Sequence, residues 1–402
     1  MKSGRAERTA AQELSAPENY KRSTKEVVIA LPREVSVAAS LALRTNSRAR
    51  RLELPRAAWQ LRLPKLTTRE STMKKSFVPS VGTTILWLAV VTLAAGASAA
   101  FAGQPGSSLI VHIVNPQATD PAIDQALDNH YAWIDPTAPT NNRLFVYMPG
   151  TADVPGSALL VQQAAARLGY HVIGLMYVDG TQIQGLCASQ PDPSTCSYDA
   201  RLEILTGQDL TPLVDVNVPN SIDNRLTKLL QYLAINYPDE GWSMFLADSA
   251  PLWSKIAVGG WSQGGAEAAF IAKFRVVARV VMFSAPVESY GGAPPTWELT
   301  GHVTPSGRYF GLGHDRDGFY PGIIGGWTAL GMDNFGARVQ VETSAPPYGL
   351  THELFTDLLP QRGAYRSAHP STVLDIYTPL YPDKTPEFAA AWQYMLTAEV
   401  EE

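Results

Sequence analysis

Cysteine is scarce in this chain, and that scarcity limits the sites the chain can form. There are only 2 cysteines in 402 residues, Cys187 and Cys196. The segment between them holds two prolines and short polar residues, which predicts a loop. In an exported protein the simplest interpretation of such a pair is one local disulfide. The alternative, a metal site, would need a nearby histidine that this loop lacks, so we expect a disulfide and no metal.

Basic residues are also few over most of the chain. Residues 1–102 contain 17 of the 32 Lys and Arg residues and 7 of the 37 Asp and Glu residues, which leaves 15 basic and 30 acidic residues in 103–402. A region with a net charge of −15 repels nucleic acid and anionic lipid surfaces. The sequence therefore predicts no nucleic-acid partner and no stable membrane insertion for 103–402, and it leaves the oligomeric state open.

Charged residues are absent altogether from 83–102. Lys74 and Lys75 precede this apolar stretch, and it ends in small residues that fit an A-x-A cleavage site. Residues 73–102 are therefore predicted to be a signal peptide of a secreted or periplasmic protein, with a membrane anchor at 83–102 as the alternative. Because signal peptides stand at the N-terminus, we expect translation to begin at Met73 and 1–72 to be a mis-assigned or disordered extension.

The remaining 300 residues, 103–402, suit one large domain. Short apolar runs typical of buried strands alternate with segments of helical spacing, and a turn-rich insertion at 177–220 carries both cysteines. This alternation predicts an α/β fold with a mostly parallel sheet and helices on both faces. The predicted strands are 108–114, 143–148, 170–176, 256–259, 279–284, 307–312 and 338–342, and the predicted helices are 157–169, 221–237, 265–274, 322–330 and 386–400.

One motif in this sequence is typical of a catalytic serine. Gly260-Trp261-Ser262-Gln263-Gly264 reads Gly-x-Ser-x-Gly and stands between a predicted strand and a predicted helix. In that context the motif forms a sharp turn that exposes a serine hydroxyl for nucleophilic attack, and the glycines remove Cβ atoms that would otherwise collide. Ser262 is therefore the predicted nucleophile.

A serine nucleophile needs a histidine base and an acid that orients it. His352 follows the last predicted strand and is the predicted base, with His314 as the alternative, whereas His369 precedes a proline and is predicted to be structural. Asp317, beyond the strand at 307–312, is the predicted acid. Asp315 and Glu288 are the alternatives for that role.

The negative charge that develops on the substrate needs two backbone N–H donors. One is expected from Gln263, the residue after the nucleophile. The other is expected from Gly150 or Thr151, in the loop after the strand that ends at Met148. The alternative is that Pro149-Gly150-Thr151 forms an ordinary turn between a strand and a helix.

The oxyanion loop, the serine turn, the acid loop and the histidine loop, in this order along the chain, resemble the α/β-hydrolase superfamily. Within it they resemble a little-characterised group of secreted α/β-hydrolase-like proteins. The resemblance implies Ser262 as nucleophile, Asp317 as acid and His352 as base. The loop Pro149-Gly150-Thr151 differs from the His-Gly-Gly-Gly of many esterases. The segments that carry the resemblance are 144–151, 259–265, 311–317 and 346–352.

The expected function is that of an exported serine hydrolase, a carboxylesterase or lipase-like enzyme that cleaves a small-molecule or lipid-like ester through an acyl-enzyme and needs no cofactor. A peptidase, amidase or acyltransferase would use the same three residues. A binding protein on a hydrolase scaffold is the alternative from another class.

Overall fold

The structure, a computed structural model, describes residues 109–400. The predicted extension at 1–72 and the predicted signal peptide or anchor at 73–102 lie outside the described residues. Among the described residues, no helix combines the length and the apolar character that a membrane span requires.

A nine-stranded sheet organises the described region, in the order β1-β2-β4-β3-β7-β8-β9-β11-β10. β2 runs antiparallel to both of its neighbours, and every other adjacent pair of strands is parallel. A two-stranded hairpin, β5 with β6, stands apart from it. The strands are β1 (Ile110–Val114), β2 (His130–Ile134), β3 (Leu144–Met148), β4 (His171–Gly174), β5 (Leu246–Ala247), β6 (Ala250–Pro251), β7 (Ile256–Trp261), β8 (Arg279–Phe283), β9 (Tyr309–His314), β10 (Val339–Gln340) and β11 (Glu353–Thr356).

Helices cover both faces of the sheet. Alternate residues of β3 enter different cores: Val146 packs with α5 and α6, and Phe145 packs with α2 and α10. A strand buried on both faces reads as a continuous apolar run, which is why β3 is evident in the sequence. The helices are α1 (Pro116–Thr119), α2 (Leu159–Arg167), α3 (Ile183–Ala188), α4 (Pro193–Thr206), α5 (Ile222–Asn236), α6 (Gln263–Phe274), α7 (Thr296–Leu299), α8 (Tyr320–Ala329), α9 (Ala368–Ser371) and α10 (Ala389–Thr397).

The predicted fold class, a mostly parallel α/β sheet with helices on both faces, is confirmed. Two strands of the nine-stranded sheet were not predicted, and neither was the β5–β6 hairpin. β2 lies between the predicted strands 108–114 and 143–148, where no strand was predicted, and β11 follows 338–342, which was predicted to be the last strand. β11 is short and begins and ends with polar residues, Glu353 and Thr356, so it lacks the apolar run that marks a buried strand.

The insertion at 177–220, hereafter the covering segment, contains two helices. α4 begins at Pro193 after Asp192, whose side chain accepts from the Thr195 N–H at 3.1 Å. The helix stops at Gly207, whose φ of 76° favours glycine. A disulfide between Cys187 and Cys196 links α3 to α4, which confirms the predicted pairing.

Candidate active site

Ser262 lies in a sharp turn between β7 and α6. Its φ of 52° and ψ of −118° form a strained conformation for a residue with a side chain. Neighbouring contacts hold it there, since the Ser262 N–H donates to the Phe283 carbonyl at 2.9 Å. A Cβ at Gly264 would lie 2.2 Å from the Met148 carbonyl oxygen, so the turn can pack against the end of β3 only with glycine there. The local geometry is that of a nucleophile elbow.

Two of the three predicted oxyanion residues share a cavity with Ser262, namely Thr151 and Gln263. Gln263 is the first residue of α6, so its backbone N–H has no acceptor within the helix. Within residues 109–400 the backbone N–H of Thr151 also donates to no acceptor. The Thr151 hydroxyl donates to the Gln263 side-chain oxygen at 2.9 Å, which ties the two segments together. Gly150 packs its backbone against the Trp261 ring, where an added Cβ would lie 2.4 Å from a ring carbon.

Asp317 follows β9 and is almost fully buried, with 5% of its surface exposed. One carboxylate oxygen accepts from the Phe319 N–H at 2.9 Å. The other lies 2.6 Å from Nδ1 of His369, in α9. A buried carboxylate that accepts from the Nδ1–H of a histidine fixes the ring and leaves Nε2 to act as a base.

His369 is held by its neighbours on several sides. The Trp261 indole N–H donates to the His369 carbonyl at 3.1 Å. The rings of Trp261 and Phe319 lie 5.3 and 5.1 Å from the imidazole, centre to centre. Trp261 directly precedes Ser262, so the same side chain contacts the histidine and borders the turn that carries the serine.

The predicted base, His352, is not at this edge of the sheet. It stands immediately before β11, and its carbonyl accepts from the Gly311 N–H at 2.9 Å, near the beginning of β9. Its ring stacks between Phe310 and Phe335, at 4.2 and 4.1 Å between centres. Burial lowers the pKa of His352 to about 4, so the ring is neutral and enclosed among apolar groups. The structure therefore does not place the predicted base, His352, beside Asp317, which pairs with His369 instead.

The other predicted alternatives bind residues other than Ser262 and His369. His314 is fully buried, accepts from the Arg316 N–H at 3.0 Å and donates to the Leu358 carbonyl at 2.9 Å. Asp315 lies 3.5 Å from both the His314 ring and the Arg316 guanidinium. Glu288 is buried and pairs with Arg201.

His369, predicted to be structural, is the histidine that lies against Asp317. Its signal lay in topology: it follows β11, just as Asp317 follows β9 and Ser262 follows β7. The carboxyl ends of parallel strands meet at one edge of a sheet, where sites form in open α/β folds. Recognition of 353–356 as a strand would have moved the expected base from His352, before that strand, to His369, after it.

The covering segment closes one side of the cavity at Ser262. Gln182, Ile183 and Gln184 line it near α3, and Arg201 lines it from α4. Arg201 is 1% exposed; it lies 2.6 Å from Glu267 of α6 and also pairs with Glu288. Burial raises the pKa of Glu267 to about 7, and the guanidinium opposes that rise.

No family model matches this chain, and no curated protein matches it. It is similar to a solved structure described as a bacterial heroin esterase, at 14% sequence identity and a TM-score of 0.33, over 63% of this chain and 75% of that one. Among residues 109–400, no group of three or more His, Cys, Asp or Glu side chains is arranged to hold a metal ion.

Proposed function

We propose that this protein is an exported serine hydrolase that cleaves carboxylic esters, with Ser262 as nucleophile, His369 as general base and Asp317 as orienting acid. The observation that carries the proposal is the 2.6 Å contact between Asp317 and His369, at the sheet edge where Ser262 occupies its strained turn. A strained serine and a histidine–aspartate pair have no common structural purpose, whereas acyl transfer requires both.

The proposed mechanism follows from these positions. Nε2 of His369 takes the proton of the Ser262 hydroxyl as Oγ attacks the ester carbonyl, and the Nδ1–H of His369 stays bonded to the Asp317 carboxylate. The backbone N–H groups of Gln263 and Thr151 stabilise the oxyanion. His369 then protonates the departing alcohol, and the acyl-enzyme is cleaved by a water molecule that His369 activates.

The buried disulfide between Cys187 and Cys196 supports the exported location, because disulfides persist in oxidising compartments. The signal-peptide pattern at 73–102 is the second support. The acidic balance of 103–402 fits a small neutral ester better than a polyanionic substrate.

Labelling with a fluorophosphonate tests the proposal, because this probe phosphonylates serines that an adjacent base activates. We expect labelling of the wild-type protein, mapped to the peptide that contains Ser262, and none in Ser262→Ala. Substitution of the partly exposed Ser289 by alanine is the matched control and should leave labelling unchanged. Folded wild-type protein that takes up no label would contradict catalysis and favour a binding function. Labelling together with hydrolysis of amides, but not of esters, would favour an amidase.

A further inference from the structure

The cavity at Ser262 carries more polar groups than the triad uses. Its walls include Gln184, Arg201, Gln263 and Glu288. Each of these four side chains has one buried polar atom without a hydrogen-bond partner among the described residues: Gln184 Oε1, Arg201 Nε, Gln263 Nε2 and Glu288 Oε2. Buried polar groups in native proteins are nearly always paired with protein or water, so four residues with such atoms in the walls of one cavity offer partners to a polar group that enters it.

The orientation of the Gln263 amide is fixed by its own contacts. Its oxygen accepts from the Thr151 hydroxyl at 2.9 Å and from the Ile183 N–H at 3.3 Å. Since two donors occupy the oxygen, the amide nitrogen is the end that is left without a partner. Gln263 is 4% exposed, so this donor is withdrawn from bulk solvent.

Arg201 and Glu288 supply one further donor and one further acceptor. The two terminal nitrogens of Arg201 bind Glu267 and Glu288, which leaves Nε free. One oxygen of Glu288 binds Arg201, and the other is free. Both residues are 1% exposed. The guanidinium of Arg201 lies beside carboxylates of opposite charge. A charged ligand group of either sign would therefore be repelled by one of these groups as well as attracted by another.

The size and chemistry of the cavity select the group that fits. The centre of a water molecule can move within only about 10 Å³ of it, which is room for roughly one water-sized group. The free atoms are two donors and two acceptors, so the best occupant both donates and accepts. A hydroxyl is the smallest organic group that does both. Ile183 and Val287 provide apolar walls for the carbon that would carry it.

We propose that this cavity binds a short hydroxyl-bearing acyl group, so that the preferred substrates are esters of small 2-hydroxy acids rather than of fatty acids. This inference rests on the proposed function, because it assigns the substrate class of the same site. The substrate hydroxyl would accept from Gln263 Nε2 or Arg201 Nε and donate to the side-chain oxygen of Gln184. An acyl group without the hydroxyl would supply no partner to these buried groups.

Methyl glycolate and methyl propionate test this inference. Their acyl groups have the same number of heavy atoms, but only glycolate has a hydroxyl. The kcat/KM for each ester is measured by pH-stat titration and divided by its rate constant for alkaline hydrolysis, which removes the difference in intrinsic reactivity. The wild-type protein should prefer glycolate by about tenfold or more, the value of one or two hydrogen bonds made in the transition state.

Gln184→Leu is the informative variant because Gln184 is only partly buried, and its side-chain oxygen has no partner to lose. We expect its preference for glycolate to fall by about threefold to tenfold. Gln208→Leu makes the same change on an exposed residue of the covering segment outside the cavity and should match the wild type with both esters.

Fluorophosphonate labelling on the same samples separates the two proposals. Labelling at Ser262 with a normalised glycolate preference near one would overturn the substrate class and leave the hydrolase proposal standing. So would a preference in Gln184→Leu equal to that of the wild type. If the folded protein takes up no label and hydrolyses neither ester, the hydrolase proposal is overturned, and this inference with it.

Discussion

Two histidines of this chain show how environment divides one residue type into different roles. His352 is stacked between two phenylalanine rings, and its pKa falls to about 4 because burial disfavours the charged ring. His369 is bonded to a buried carboxylate, and 18% of its side chain is exposed. Only the second environment holds the imidazole through a carboxylate and leaves part of the ring open to solvent.

Asp317→Asn should lower kcat for ester hydrolysis by roughly 10³- to 10⁴-fold with little loss of stability, because the amide no longer holds His369 in the tautomer that can accept a proton. Steady-state kinetics measures the effect. Asp315→Asn, two residues away and partly exposed, is the control, and we expect its kcat to stay within about threefold of the wild type. Equal losses in the two variants would contradict the assignment of Asp317.

His352→Phe should change how stability depends on pH. The folded protein keeps His352 neutral down to about pH 4, whereas an unfolded histidine takes up its proton below about 6.5. The unfolded state thus binds more protons in that window, so this residue lowers the free energy of unfolding as pH falls from 6.5 to 4. Phenylalanine retains the stack and removes the proton uptake. Urea titrations at pH 7 and pH 5 should show the variant gaining on the order of 1–2 kcal/mol over the wild type at the lower pH. If the free energy of unfolding changes equally in the two proteins between pH 7 and pH 5, His352 does not titrate in this way.

The serine turn was open to prediction from the sequence because its signal is local. Glycines two residues before and two after Ser262 remove clashes within a single turn, and the strand and helix on either side are adjacent in sequence. The histidine was not predictable in that way, since its identity depends on where β11 lies. Two histidines 17 positions apart stand on opposite sides of one short polar strand, so one missed strand exchanges their roles.

At the scale of elements, two connections stabilise the covering segment: a disulfide within it and an ion pair that ties it to α6. The disulfide between Cys187 and Cys196 closes a short loop that links α3 to α4. In the chain-entropy model, closing a loop of this length lowers the entropy of the unfolded chain enough to stabilise the fold by about 2–3 kcal/mol.

The double variant Cys187→Ala/Cys196→Ala should therefore lose about 2–3 kcal/mol in the free energy of unfolding, measured by denaturant titration of each protein. The wild type unfolded in the presence of reductant should show the same loss, whereas the variant should be insensitive to reductant. A variant as stable as the oxidised wild type would show that the covering segment is held by packing alone.

Arg201 is the second connection, because it carries the only positive charge that the structure places against buried Glu267 and Glu288. Arg201→Met should destabilise the fold by about 3–5 kcal/mol, since it leaves carboxylates buried without a counter-charge. Arg275→Met removes a partner of the partly exposed Asp223 and should cost about 1 kcal/mol or less. Chemical denaturation of both variants compares them, and equal losses would contradict the role of burial.

The elements that were evident in the sequence have either a continuous apolar run or apolar residues at helical spacing. β3 is buried on both faces, and α5 places Leu226, Leu229, Leu230 and Leu233 on one side. β2 and β11 gave weak signals for different reasons. β2 mixes polar and aromatic residues next to an edge strand, and β11 has four residues with polar ends. Their places in the sheet are set by hydrogen bonds to β1, β4, β9 and β10, which no local pattern encodes.

At the scale of the whole molecule, the proposed export can be tested through the N-terminus of the mature protein. The described domain is acidic and contains a buried disulfide, and an uncharged apolar stretch precedes it. Expression of 73–402 in a secreting bacterial host should yield a protein in the oxidising compartment whose N-terminus lies just after Ala99 or Ala102. Intact-mass measurement and N-terminal sequencing check this. If the protein is recovered from the membrane fraction and still contains 73–102, the result would support the membrane anchor instead.

The most direct test of the account compares the two histidines in one assay. The kcat/KM for ester hydrolysis is measured for the wild type, His369→Gln and His352→Phe, with folding of each checked by circular dichroism. The account predicts a loss of roughly 10³-fold or more for His369→Gln and a value within about threefold of the wild type for His352→Phe. Full activity in folded His369→Gln, with activity lost in folded His352→Phe, would contradict it.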